Sequence, residues 1–425
     1  MRPNTYSIKS KDTFWDLAKP WVVCLSAGLF FLYDFLQMTL FNTINGQLSQ
    51  TFNLTPLETG QLAGIYMNAT VLFLLSCGIL LDRMSTRRVI LSAMVICIAS
   101  TFFFAHSQTL FAAKLCRFIA GATAAYCFLS CVMIASRWFP THRLGLAIGC
   151  IVTMAMLGGS LAQTPMAILV SHIGWRQAIT ITGWIGIAFL IIMYITIQDS
   201  PTQKTLKPKP AALKQSAWSL LNQAAKNPQN WLCGGYTSLL NVFIFVAGAV
   251  WGQTYLVHVH GLTHLDAAYV STMIFMGTVI GSPLMSFISD TIKQRRLPMI
   301  FGAIASLILA LIVVCSHSLS TTSLAILFFA IGLTSSTQVL TYPTIVECNP
   351  STIRGTSESL SAVLIMGVGA LYQPLFGWLV SLAPKASLYQ QGFASAFWLI
   401  PAAFALGLVL SLFIKETHCK PYEKI

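Results

Sequence analysis

The chain has 425 residues, 56% of them hydrophobic and 9% charged, with a formal net charge of +13; ordinary soluble domains carry about 25% charged residues. That composition excludes a soluble globular protein. The basic surplus raises nucleic acid as a partner, so the placement of the basic residues has to decide.

Apolar stretches of roughly 20 residues, enough for a helix to cross a bilayer, recur along the whole length. They are predicted at about 20 to 43, 57 to 81, 89 to 106, 109 to 135, 144 to 170, 177 to 198, 229 to 257, 265 to 289, 298 to 317, 321 to 346, 355 to 382 and 391 to 414. The predicted fold class is an all-α membrane protein with twelve transmembrane helices in two pseudo-symmetric six-helix bundles. Residues 1–19 form an N-terminal tail, 20–198 the first bundle, 199–228 a linker, 229–414 the second bundle and 415–425 a C-terminal tail. The first span has no small-residue cleavage pattern behind it and reads as a retained helix.

An even number of spans puts both termini on one side. That side holds 21 of the 25 Lys and Arg residues, the other side only Arg176 and Lys385, while Lys114 and Arg117 fall inside a span. Basic excess marks the cytoplasmic side, so both termini are expected there. The partner implied is the lipid bilayer, not nucleic acid. The eleven cysteines form no CxxC pair and lie mostly inside apolar spans, which reads as small buried hydrophobes.

A short motif occurs twice. GILLDRMSTRR, with Gly78, Asp82, Arg83, Arg87 and Arg88, stands between the second and third spans; SFISDTIKQRR, with Ser286, Asp290, Arg295 and Arg296, stands between the eighth and ninth. Each aspartate precedes its basic pair by five and six residues, and the copies sit 208 residues apart. A second echo agrees: Arg143 precedes Gly158, and Arg354 precedes Gly369, by fifteen residues each. Parallel repeats of this kind build transporters around a midplane site. The linker is basic and proline-bearing, and from Ala211 to Ala225 it alternates at helical spacing. That fits a helix on the membrane face or a solvated tether.

GILLDRMSTRR resembles the loop motif of the major facilitator superfamily, and the resemblance extends over the full chain. It implies that Asp82 faces the start of the eleventh helix near Arg354, and Asp290 the start of the fifth near Arg143, as latches at helix N-termini. Glu347 is a further candidate for this gate. Ser286 and Thr291 depart from the pattern in the second copy. Longer strings, among them FLYDFLQMTLFN and ALYQPLFGW, resemble the phagosomal-transporter branch of intracellular gammaproteobacteria. This resemblance implies an inner-membrane importer of amino acids or nucleosides.

Intramembrane ionisable residues mark ion or substrate paths. Asp34 lies mid-span, and Lys114, Arg117 and Gly121 share one face of the fourth helix by their spacing. RFIAGATAAY resembles the family's fourth-helix Arg-xxx-Gly pattern, which implies that Arg117 can pair with Asp34 across the cavity. Asp34 is the expected proton-coupling group; a permanent salt bridge is the purely structural alternative. Substrate-binding candidates are Arg117, Lys114, Tyr33, Gln37, Asn68 and Gln163 in the first half, with Asn241, Trp251, Gln253, Gln338, Tyr342, Tyr372 and Gln373 in the second. Helix-bridging is the alternative for each.

The expected function is proton-coupled uptake of a small carboxylate-bearing solute such as an amino acid, by a monomer acting through alternating access. Import of a polycarboxylate siderophore or of nucleosides, and export of a drug or siderophore, are the alternatives. The chain carries no P-loop, no nucleophile constellation and no metal-ligand pattern, so neither an enzyme nor a cofactor or metal is expected.

Overall fold

The computed structural model describes residues 14–139, 141–200, 217–316, 319–350, 352–384 and 388–420. Among the described residues twelve membrane-spanning helices follow one another: α1 (Phe14–Phe52), α2 (Pro56–Arg83), α3 (Thr86–Ala105), α4 (Leu110–Trp138), α5 (141–173), α6 (175–196), α7 (Pro228–His260), α8 (His264–Ile292), α9 (Arg296–Cys315), α10 (Thr321–Glu347), α11 (Arg354–Ser381) and α12 (Gln390–Phe413). The chain is thus a multi-pass membrane protein. The side bearing the termini is called the terminal side, the other the distal side. Of the linker, Ala217–Lys226 is a helix, and residues 201–216 lie outside the described residues.

Local chemistry sets the ends of these helices. Pro56 opens α2 behind a capping box in which the Thr55 side chain accepts from the Glu58 amide and Glu58 reaches back to the Thr55 amide. Ser85 caps α3, Thr263 caps α8 and Ser320 caps α10. Gly174 separates α5 from α6 with φ of 75°, a left-handed turn that a side chain would strain.

Glycines bring the inner helices into backbone contact. A Cβ on Gly158 of α5 would lie 2.0 Å from the Leu32 carbonyl oxygen of α1, and one on Gly121 of α4 would lie 2.0 Å from that of Tyr66 on α2. Gly369 occupies the matching place in α11 and meets Phe245 of α7 and Met67 of α2. Small residues let backbones approach where lipid offers no hydrophobic drive.

The middle of α7, Ile244–Trp251, is a widened π-helical stretch, and its carbonyls are met from the opposite half. Asn42 donates to Ala247 O at 3.0 Å and Gly248 O at 3.1 Å, and Asn45 to Val250 O at 3.1 Å. Gln163 donates to Gly248 O at 3.0 Å and accepts from Asn42 at 3.0 Å and Gln253 at 2.9 Å. Thr164 and Thr272 join α5 to α8 at 2.7 Å. On the same side Gly60 and Gly377 of the α2 and α11 pair sit against the backbones of Gln373 and Pro56. The described cross-half hydrogen bonds cluster on the distal side, so the bundle is closed there.

Gly158→Ala is expected to force α5 from α1 and lower stability by about 1–3 kcal/mol, read as a fall in detergent Tm. Gly149→Ala, whose Cβ meets nothing within 4 Å, serves as the neutral control. Asn42→Ala removes the cross-half donor to the Ala247 and Gly248 carbonyls and the acceptor of the Gln253 amide, and should shift the protein toward a distal-open state. A cysteine at Met67, fully buried here against α11, should then react several times faster with an impermeant thiol reagent added on the distal side; an unchanged rate would refute the assignment.

Candidate functional site

Asp34 and Arg117 are both buried inside the first half, at 6% exposure each, but they do not pair with each other. The Tyr66 hydroxyl of α2 donates to Asp34 Oδ1. Arg117 Nη1 donates to the Gln37 carbonyl at 2.9 Å, and its guanidinium lies 4.6 Å from the Tyr66 ring centroid and 5.3 Å from that of Phe41. Tyr66 therefore stands in contact with both charged side chains. Arg117 Nε is buried without a partner. Beside it Gln37, Ser100, Thr101, Phe104, Cys116 and Ala120 line a cavity of about 10 Å³, close to the least that holds one water.

The sequence explains this geometry once α2 is placed. Gly121 comes one turn after Arg117 and allows α4 to touch the Tyr66 backbone, while Thr70 donates to the Gly121 carbonyl at 2.9 Å. Asp34 and Gln37 are likewise one turn apart on α1. The expected direct pair across a central cavity is corrected: both charges are enclosed among α1, α2, α3 and α4, with an aromatic ring between helices that only close glycine packing can admit.

The other candidates disperse. Tyr33 donates to Thr101 at 3.2 Å and Gln37 to Thr182 at 3.4 Å, both inside the first half. Lys114 is half-buried near the distal end and acts electrostatically on Glu58; Asn68 is exposed on α2. Gln163 and Gln253 belong to the distal closure. Asn241 donates to Gln338 at 3.3 Å, and Tyr342 and Tyr372 are half-buried. Trp251 donates to the Gln373 carbonyl at 3.2 Å and stacks on Phe376, and Gln373 donates to Phe245 O at 3.1 Å while its Oε1 has no partner. A concavity of about 410 Å³ lies at the distal ends of α11 and α12 with Leu379, Leu382, Ala383, Pro384, Gln391 and Ser395 as its lining. Among the described residues its lining holds no charged side chain.

On the terminal side the duplicated motif works within each half. Arg295 Nη1 meets Asp290 Oδ1 at 2.7 Å and its Nη2 meets Glu347 Oε1 at 2.9 Å. Lys293 in the left-handed conformation (φ 54°) ends α8 and returns the chain so that Arg295 reaches Asp290; the expected reach of Asp290 to Arg143 falls on side chains outside the described residues. Glu347 likewise serves Arg295, and Arg354 Nε donates to the Val346 carbonyl at 3.1 Å. The side chains of Gly78, Asp82, Arg83 and Arg143 lie outside the described residues, and with them the proposed reach of Asp82. Arg88 is exposed at the start of α3.

Two acidic caps went unrecognised in the sequence. Asp199, just past α6, accepts from the Arg87 amide at 2.9 Å and from Ser85, and pairs with Arg137 at 3.5 Å. Glu416, just past α12, accepts from the Arg295 and Arg296 amides at 2.8 Å each. Burial disfavours the charge of Glu416, and the amides of Arg295, His418 and Arg296 outweigh it, holding the carboxyl below its ordinary range. Arg87 and Arg296 in turn donate to the Tyr194 and Leu412 carbonyls, the favourable place for a cation at a helix C-terminus. The signal was available: each acid stands three residues beyond the last residue of its helix.

The fold has solved counterparts. A bacterial homolog of the human lysosomal transporter Spinster superposes with a TM-score of 0.75 at 16% identity, covering 93% of this chain and 97% of that one. Among curated relatives, the D-galactonate transporter of Escherichia coli O6:H1 is 22% identical over 288 residues, 62% of this chain and 67% of that protein. The probable sulfoacetate transporter SauU of Cupriavidus necator is 22% identical over 227 residues, 51% of this chain and 53% of that protein. The chain therefore spans about two thirds of the first relative's length and about half of the second's. The relatives are transporters, not enzymes. The family model of the Major Facilitator Superfamily matches residues 26–371, and with that match over most of twelve helices in two halves the chain belongs to the Major Facilitator Superfamily.

Proposed function

We propose that this protein is a proton-coupled transporter of a small organic anion, working by alternating access. The observation that carries the coupling is Asp34, a carboxyl buried within one half beside a cation that does not neutralise it directly. Such a group gains and loses a proton more readily than one locked in an ion pair. The cargo class rests on the relatives, whose names specify a sugar acid and a sulfonated acid. An amino acid remains within that class by its carboxylate. The narrower phagosomal branch rests on the quoted strings alone.

Arg117 has a different part from the one expected of a cargo ligand. Gln37, Phe41 and Tyr66 enclose its guanidinium, so we assign it to the protonation site, not to direct contact with substrate. The buried Asn241 and the half-buried Gln338, Tyr342 and Tyr372 of the second half are the proposed neutral contacts for the cargo. The Lys and Arg distribution supports cytoplasmic termini in a bacterial inner membrane, and in that orientation the described state, closed on the distal side, is the inward-facing one. A monomer suffices, because both halves lie in one chain.

The test is uptake into proteoliposomes of D-galactonate, sulfoacetate, amino acids and nucleosides under an imposed inward proton gradient. Uphill accumulation of a carboxylate or sulfonate is expected; accumulation of nucleosides alone would overturn the cargo class. Asp34→Asn should abolish uphill accumulation while leaving counterflow exchange within a fewfold of the native rate. Retained accumulation would refute the role of Asp34.

A further inference from the structure

The least expected feature of the protonation site is that an acid and a guanidinium, both enclosed in the same few helices, are held apart. A carboxylate and an arginine in a medium of low dielectric attract strongly, yet the guanidinium packs against the rings of Tyr66 and Phe41. Tyr66 occupies the position that prevents contact. Its hydroxyl is spent on Asp34, its ring face carries Arg117 at 4.6 Å, and its backbone is pinned by Gly121 and Thr70 of the helix pair α4 and α2. The Gln37 carbonyl takes Nη1 of Arg117 and draws the cation one turn along α1, away from Asp34.

We propose that Tyr66 is a positioning residue: its ring keeps Arg117 off Asp34 so that the carboxyl can take up and release a proton, and its hydroxyl steadies the ionised form. The proposal rests on the reading of Asp34 as the proton carrier. Among the described residues the titratable and charged groups that face Asp34 are Tyr66 of α2, Cys97 of α3, and Arg117 and Cys127 of α4. Arg117 is the permanent cation among them, so its distance from the carboxyl is the variable that Tyr66 controls. The two parts of the side chain then act in opposite directions on the same proton: the hydroxyl favours its release, and the ring, by holding the cation away, favours its uptake. A ring without the hydroxyl, and a side chain without the ring, should have opposite effects.

Tyr66→Phe keeps the separator and removes the donor to the carboxylate, so the ionised form loses support and the pH midpoint of uphill uptake should rise by about one unit. Tyr66→Leu removes the separator and lets Arg117 close on Asp34, so the midpoint should fall by about one unit or more. In the double variant Tyr66→Leu/Arg117→Gln the fall should vanish. Carboxyl infrared absorption of the purified protein, titrated with pH and assigned by its loss in Asp34→Asn, reads the same midpoints without transport. Tyr66→Met replaces Tyr66→Leu if the latter does not yield folded protein by size exclusion. Shifts of the two single variants in one direction, or a fall that survives loss of Arg117, would overturn the proposal. If Asp34→Asn still accumulates substrate, the transport reading fails, while the infrared midpoints continue to judge Tyr66.

Discussion

A polar group inside a bilayer has no water to turn to, and each one must find its partner within the bundle. Much of this structure follows from that constraint. The widened stretch of α7 loosens its own hydrogen-bond ladder, and Asn42, Asn45 and Gln163 of the opposite half supply donors to its carbonyls. Because those donors belong to α1 and α5, satisfying the backbone of one half also fastens it to the other. Interhelical bonds in membranes contribute about 0.6 kcal/mol each. A small set of them gives a closure of a few kcal/mol, firm enough to define a state and weak enough to be undone by a ligand with unequal affinity for the two states.

The terminal side is built on a different principle. There the repeated motif ties each half to itself: an acid beyond the sixth helix caps the third, and an arginine of the motif holds the last carbonyls of the sixth. Arg295 adds a double pairing to Asp290 and Glu347 in the second half, and in the first half Arg137 of α4 pairs with Asp199. Partly exposed pairs of this sort contribute little individually, but the amide caps close helix ends that would otherwise carry orphaned donors. Each half can then move as a stiff body while its distal contacts with the other half form and break.

The two halves share this frame and differ in their charges. Asp34 and Arg117 have no counterparts in the second half, where Trp251, Phe376 and Gln373 form a neutral aromatic and amide core instead. On the proposed reading, proton chemistry belongs to one half, between α1, α2, α3 and α4, while this core of the other half is built of neutral groups. Tyr66 lies at the junction, since the polar end of its side chain serves the acid and the apolar face serves the cation.

The sequence by itself determined the twelve spans, the pseudo-repeat and the isolation of Asp34, because apolar length and charge rarity are properties of the chain that the bilayer reads directly. It also placed Arg117 and Gly121 on one helical face, since helical periodicity is local. Which groups those residues meet was a matter of tertiary structure. Tyr66 meets both charged side chains only because Gly121 brings α4 against its backbone, and Asp199 and Glu416 find their amide partners only where the sixth helix of each half ends beside the third. Asp290 meets Arg295 of its own motif because a left-handed Lys293 reverses the chain. Contacts between residues 30 to 200 positions apart depend on where glycines allow backbones to touch, and that is settled only when the helices are packed.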